Sequence, residues 1–127
     1  MARTSTIGEN ACLSGSGGLT GVCTNFGLNT ADPTTTGGSE VTGGSPPYAR
    51  PAITWGTASG GSIANATTAL TRNVPASTTV GFFSMWNTST ISGTTGYASG
   101  GALSATQTFS TQGTFTVAIG GLTLGAS

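Results

Sequence analysis

From Val22 onward, apolar residues come in short runs that alternate with Thr, Ser and Asn, and each run is soon cut by glycine, proline or asparagine. Helical spacing is sustained nowhere, which confines the chain to short strands joined by turns. Val22–Leu28 sets Val22, Thr24, Phe26 and Leu28 on one face of a strand. Ala52–Thr57 carries Ile53 and Trp55 on one side, Gly60-Gly61 turns the chain into a strand over Ser62–Thr71, and Pro75 marks its break. Thr79–Asn87 is the most hydrophobic stretch. Its Val80-Gly81-Phe82-Phe83-Ser84-Met85-Trp86 is apolar on both faces, as suits a central strand covered on both sides. After a turn near Gly93 come Thr95–Leu103, Ala105–Ser110 and Thr114–Ile119, the last directing Phe115, Val117 and Ile119 inward. About seven to eight such runs predict an all-β fold, a single-domain antiparallel β-sandwich or an open barrel.

With 127 residues the chain can bury one real core. Residues 1–21 read as an N-terminal segment, an arm or a short helix over Thr4–Leu13 capped by Ser5 or Thr6, with Glu9 near its first turn and a Gly-rich loop after it. Residues 22–127 form the β domain, interrupted by a long loop over 29–47 with Asp32-Pro33 and Gly43-Gly44-Ser45-Pro46-Pro47 as turn formers. A loop of this length in a small domain suggests an interaction arm. Cys12 and Cys23 flank a flexible run. A disulfide there would stabilise by roughly 3 kcal/mol, and the alternative is a pair of buried thiols in a reducing cytosol.

Charge is nearly absent. Three arginines (Arg3, Arg50, Arg72) face three acids (Glu9, Asp32, Glu40), with no lysine or histidine and a net charge of zero. A surface with so little repulsion is tolerable when partners cover it, so an oligomer or a member of an assembly is expected. Three scattered arginines make no basic stripe, which argues against nucleic acid as a partner. No apolar run is long enough to span a membrane, and Met1–Thr6 lacks the apolar region of a secretory signal. Asn65-Ala66-Thr67 and Asn87-Thr88-Ser89 match the N-glycosylation pattern, as chance allows in a Thr-rich chain.

The same shortage removes most enzyme chemistry. Without histidine there is no Ser-His-Asp or Cys-His catalysis, and without lysine no phosphate-loop nucleotidase and no Schiff base. Two cysteines cannot complete a structural zinc site, and Gly15-Ser16-Gly17-Gly18 lacks dinucleotide-loop spacing. Asp32 and Glu40 share the long loop, so a glycosidase pair or a calcium site has to be weighed; Asp32 before Pro33 is better read as bonding its own turn. Trp55, Trp86, Tyr48 and Tyr97 could form a sugar-stacking platform, but the two tryptophans sit in strong strands where core burial is usual. The candidate protein-contact residues are Asp32, Pro33, Glu40, Tyr48 and Arg50, with Arg50 placed to stack on an aromatic or to pair with Glu40. No catalytic, metal or cofactor residue is expected.

Thr30-Ala31-Asp32-Pro33, Ser39-Glu40-Val41-Thr42-Gly43-Gly44 and Tyr48-Ala49-Arg50-Pro51-Ala52-Ile53-Thr54-Trp55 together resemble a family of small tailed-phage proteins, labelled tail-fibre-like, minor tail or minor capsid proteins. The resemblance continues through Val80–Trp86, Gly100-Gly101-Ala102-Leu103-Ser104 and Gln112-Gly113-Thr114-Phe115. It covers the chain from about Phe26 onward, while the N-terminal part with both cysteines, and Pro46-Pro47, depart from the pattern. It implies a non-enzymatic structural protein of the virion exterior, assembled in the host cytoplasm and without catalytic residues. No shaft repeat or coiled-coil heptad is visible, so a capsid decoration or minor capsid role on the head is expected, with the major capsid protein or other virion subunits as partners and a homotrimer as the assembly. A tail-fibre-like or minor tail protein is the alternative, and a surface glycan-binding module a second one.

Overall fold

The computed structural model describes residues 19–91 and 95–125. One helical turn, α1 (Leu19–Val22), leads into seven strands among the described residues: β1 (Asn25–Asn29), β2 (Ser62–Ala64), β3 (Leu70–Val74), β4 (Thr78–Trp86), β5 (Tyr97–Phe109), β6 (Gly113–Val117) and β7 (Thr123–Gly125). They pair antiparallel into a three-stranded sheet, β1-β4-β5, and two ribbons, β2-β7 and β3-β6. The protein is all-β as the turn-punctuated pattern requires, and no sheet closes into a barrel among the described residues.

Leu28, Val80, Leu70 and Val74 are essentially inaccessible, Phe26 and Met85 nearly so, and Val41, Tyr48, Ile53 and Leu122 enter the same core from the connections. Each such side chain contributes about 1.5–3 kcal/mol of burial. All five residues of β1 are buried, because the strand is covered on both faces and also along its outer edge. β4 takes the central position its two apolar faces call for, registered on β1 from Asn25↔Trp86 to Asn29↔Phe82.

Several elements depart from the sequence pattern for local reasons. The helix expected over Thr4–Leu13 lies outside the described residues. Val22, expected to open a strand, ends α1 and is 43% exposed. The strand expected over Ser62–Thr71 is two strands in two ribbons. At the break the buried Asn65 takes over: its Nδ2 donates to Ala118 O, its Oδ1 accepts from Leu122 N–H, and its main chain bonds Leu122 and Gly120. These bonds hold the chain off the β2 line, and at 1% exposure the amide is out of reach of a glycan. Ala52–Thr57 forms only isolated bridges, Ala52 to Asn25 and Trp55 to Asn65, since it serves as a cover along β1. Thr95–Leu103 and Ala105–Ser110 are two arms of the single strand β5. Its register on β4 jumps from Phe82↔Ala102 to Val80↔Gln107, so residues 103–106 bulge opposite Gly81. Ile119 is 59% exposed rather than inward, because β6 ends at Val117 and the chain turns at Gly120.

The 29–47 loop and the segment after it lie back on β1. Thr30 N–H donates to Ser39 O, Val41 N–H to Leu28 O, Phe26 N–H to Pro51 O and Ile53 N–H to Thr24 O, at 2.8–3.0 Å. Leu28 N–H finds the Tyr48 hydroxyl at 2.8 Å. One edge of the main sheet is thereby sealed by the chain's own connections, a usual protection against unwanted pairing.

Candidate functional site

The sealed edge carries the only cluster of polar side chains, among the described residues, with chemistry beyond hydroxyls and amides. The loop delivers Glu40 and the Tyr48–Arg50 turn onto β1, and β4 supplies Ser84 and Trp86 from beneath. Arg50 clasps Glu40 with two bonds, Nε to Oε1 at 2.8 Å and Nη2 to Oε2 at 2.5 Å. Its side chain is fully covered and that of Glu40 is 7% exposed. The third nitrogen, Nη1, donates to Thr90 O at 2.7 Å and Thr88 O at 3.3 Å. Planar, five-donor geometry makes arginine suited to such a clasp. The guanidinium carbon also stands 3.5 Å from the Trp86 ring centroid, so Arg50 both stacks and pairs with Glu40.

Tyr48 completes the arrangement. Its hydroxyl accepts from Leu28 N–H and donates to Glu40 Oε1 at 2.9 Å. Burial, reinforced by the Glu40 charge, pushes the phenol well above its ordinary range, with the Leu28 N–H pulling back a little. Trp86 is wholly buried, anchors its indole N–H on Ser84 Oγ at 2.7 Å, and receives Tyr97 edge-on with centroids 5.3 Å apart. Gly27 makes the stack feasible. A Cβ there would lie 2.7 Å from both Glu40 Oε1 and Ser84 Oγ and 3.0 Å from Trp86 Nε1.

Asp32 is exposed, and its Oδ1 accepts from Thr34 N–H at 2.9 Å, the local turn bond its position before Pro33 suggests. Pro33 is buried, and Tyr97 ties this turn to β5 through a bond to Thr34 O at 3.1 Å. Glu40, Tyr48 and Arg50 therefore form one interlocked group, with Asp32 outside it.

Chemically the group is saturated. Glu40 accepts three hydrogen bonds and nearly every Arg50 donor is used, so the cluster works as a structural clasp. Asp32 and Glu40 do not form a facing carboxyl pair, since one caps a turn and the other is held by Arg50. No group of three or more potential metal ligands exists among the described residues. Cys23 is a buried free thiol whose pKa burial raises; Cys12 lies outside the described residues. Trp55 is half-buried, with its indole N–H on Cys23 O at 2.7 Å, and Tyr48 is 5% exposed. Neither Tyr48 nor Trp86 has a ring face free to carry a sugar.

One functional side chain escaped the sequence reading. Arg72 is 4% exposed, stacks 4.5 Å from the Phe26 centroid and donates Nη1 to Phe26 O at 3.0 Å. Its Nε and Nη2 are buried without a hydrogen-bond partner. Burial lowers its pKa to about 10, with Tyr48 and Glu40 opposing the drop. The signal was present: Leu70, Arg72 and Val74 alternate on one face of the strand.

Fold and clasp together define an all-β structural domain in which every charged side chain among the described residues except Asp32 is turned inward. Residues 21–125 match the family model described as Podophage GP4 fiber I protein gp80. The chain belongs to this phage fibre family, and with it to the structural proteins of tailed-phage virions. Comparison with curated proteins and with solved structures finds no match.

Proposed function

We propose that the chain is a non-enzymatic structural subunit of a phage fibre, held on the outside of the particle by contacts with other virion subunits and with copies of itself. The observation that carries this reading is where the charges go. Of the charged side chains among the described residues, Glu40, Arg50 and Arg72 are turned inward and only Asp32 is exposed. Among the described residues, the rest of the exposed surface is uncharged, mostly hydroxyl-bearing and small residues with a few apolar ones such as Val22, Ile91 and Ile119, a surface that recognises neighbours by shape and backbone bonds rather than by charge. The fibre family favours the tail-fibre-like reading over capsid decoration. A head position bound to the major capsid protein, as a trimer on a three-fold site, is a second reading, supported by the absence of shaft repeats from the sequence. Cryo-EM of whole particles tests both: density for this chain in fibres supports the proposal, and density confined to the capsid lattice overturns the fibre assignment. A glycan array tests the binding-module reading, for which Trp55 and Tyr97 stay half-buried while Tyr48 and Trp86 are buried.

A further inference from the structure

The two edges of the main sheet are treated differently. On β1, main-chain groups from Thr24 to Thr30 are met by the loop and by Tyr48. On β5 the inner side pairs with β4. Antiparallel geometry turns every second residue's N–H and C=O to the outer side. Among the described residues, no main-chain group from outside the sheet meets that side between Tyr97 and Ala102. Within this arm the ladder is regular from Ser99 to Ala102, with one register shift at Ala98 between Met85↔Ser99 and Trp86↔Tyr97, and the bulge at 103–106 ends it.

Natural edges are usually blunted by lysine, proline or an inward charge. The stretch Tyr97–Phe109 has no charged residue and no proline, and Ala98, Ser99, Gly100 and Ala102 are exposed. Beside the bulge, an apolar hollow of about 200 Å³ opens between Phe83, Leu103, Val117 and Leu122. It offers a seat for one side chain of an added strand.

We infer that the Tyr97–Ala102 edge of β5 docks a second copy of this chain by strand addition, extending the sheet across the subunit boundary. The inference deepens the proposed structural role and rests on it. The occupant follows from electrostatics. With Asp32 the one exposed charge among the described residues, two copies meet without repulsion, whereas a charged partner finds no counter-charge on this edge. Main-chain bonds supply the attraction, and the hollow supplies register.

The test uses the full chain and two paired variants, Ala98→Lys/Ala102→Lys and Ala98→Glu/Ala102→Glu. Light scattering and hydrogen exchange are read over a concentration series. Wild type is expected to assemble, with slower amide exchange in residues 97–102 as concentration rises. Each variant alone should lose the assembly, its apparent Kd rising about tenfold or more, with near-UV circular dichroism unchanged. A 1:1 mixture of the two should recover it, which misfolding cannot imitate. Assembly of wild type with residues 97–102 still exchanging freely overturns the edge assignment and leaves the structural role standing. A wild type that is monomeric throughout the series overturns both the edge assignment and self-association.

Discussion

Replacing Glu40 by glutamine should remove the anion of the clasp while keeping its shape. The new side chain retains an oxygen for the Tyr48 hydroxyl and Arg50 Nε, but sets an amide N–H₂ against Arg50 Nη2, where Oε2 now accepts at 2.5 Å. Arg50 and Arg72 would then be two buried cations with no buried anion among the described residues. Removing one partner of a buried pair costs about 3–5 kcal/mol, against a total stability of about 5–15 kcal/mol for a domain. With a urea slope of about 2 kcal/mol/M, the unfolding midpoint should fall by about 2 M. The second arm of the experiment is Glu40→Gln/Arg50→Met, which leaves Arg50 no charge to strand and should recover at least about 2 kcal/mol of the loss. Urea titrations followed by the fluorescence of Trp55 and Trp86 read both, since both rings leave their packed sites on unfolding. A single variant costing under about 1 kcal/mol, or a double variant no better than the single, would refute the idea that the pair is a desolvated clasp.

The other predictions concern the same interior. Arg72→Met removes a buried cation with two unpaired nitrogens, and should raise stability by about 1–3 kcal/mol by urea unfolding; a loss would show that the Phe26 carbonyl bond and ring stacking outweigh desolvation. The folded pKa of Tyr48 lies above the unfolded value of 10.0, so its contribution is complete below pH 10 and is lost as pH rises beyond it. Tyr97 has the same sign, whereas Arg72, lowered by burial to about 10 and so below its unfolded value, relieves its own penalty as pH climbs past 10. The alkaline fall in the urea midpoint should therefore be steeper in Arg72→Met than in wild type, with phenolate absorbance appearing at unfolding; equal slopes would count against this pairing of signs. Gly27→Ala forces a methyl between Glu40, Ser84 and Trp86, and should cost about 1–3 kcal/mol in the same assay.

How much was legible follows the range of each interaction. Alternation and turn residues depend on neighbours in sequence, so the all-β class, the central place of Val80–Trp86 and the stop at Pro75 could be read directly. Scarcity helped with the clasp. With so few ionisable side chains, Arg50 had few acids to choose from, and its pairing with Glu40 in the same loop region was within reach. Even there, the tryptophan beneath it comes from a strand distant in the chain.

Tertiary structure decided everything that joins distant segments. Nothing local says that β1 pairs with β4, that the 29–47 loop folds back to seal β1, or that Asn65 breaks a strand by bonding residues 118–122. Nor does local pattern distinguish two strands from one strand with a bulge at 103–106, because a bulge and a turn use the same small residues. The sequence by itself settled that strands would form and that charge would be scarce. Packing alone determined which edge those strands would close and which, among the described residues, they would leave without a main-chain partner, because strand pairing is a contest among long-range partners with the same backbone chemistry.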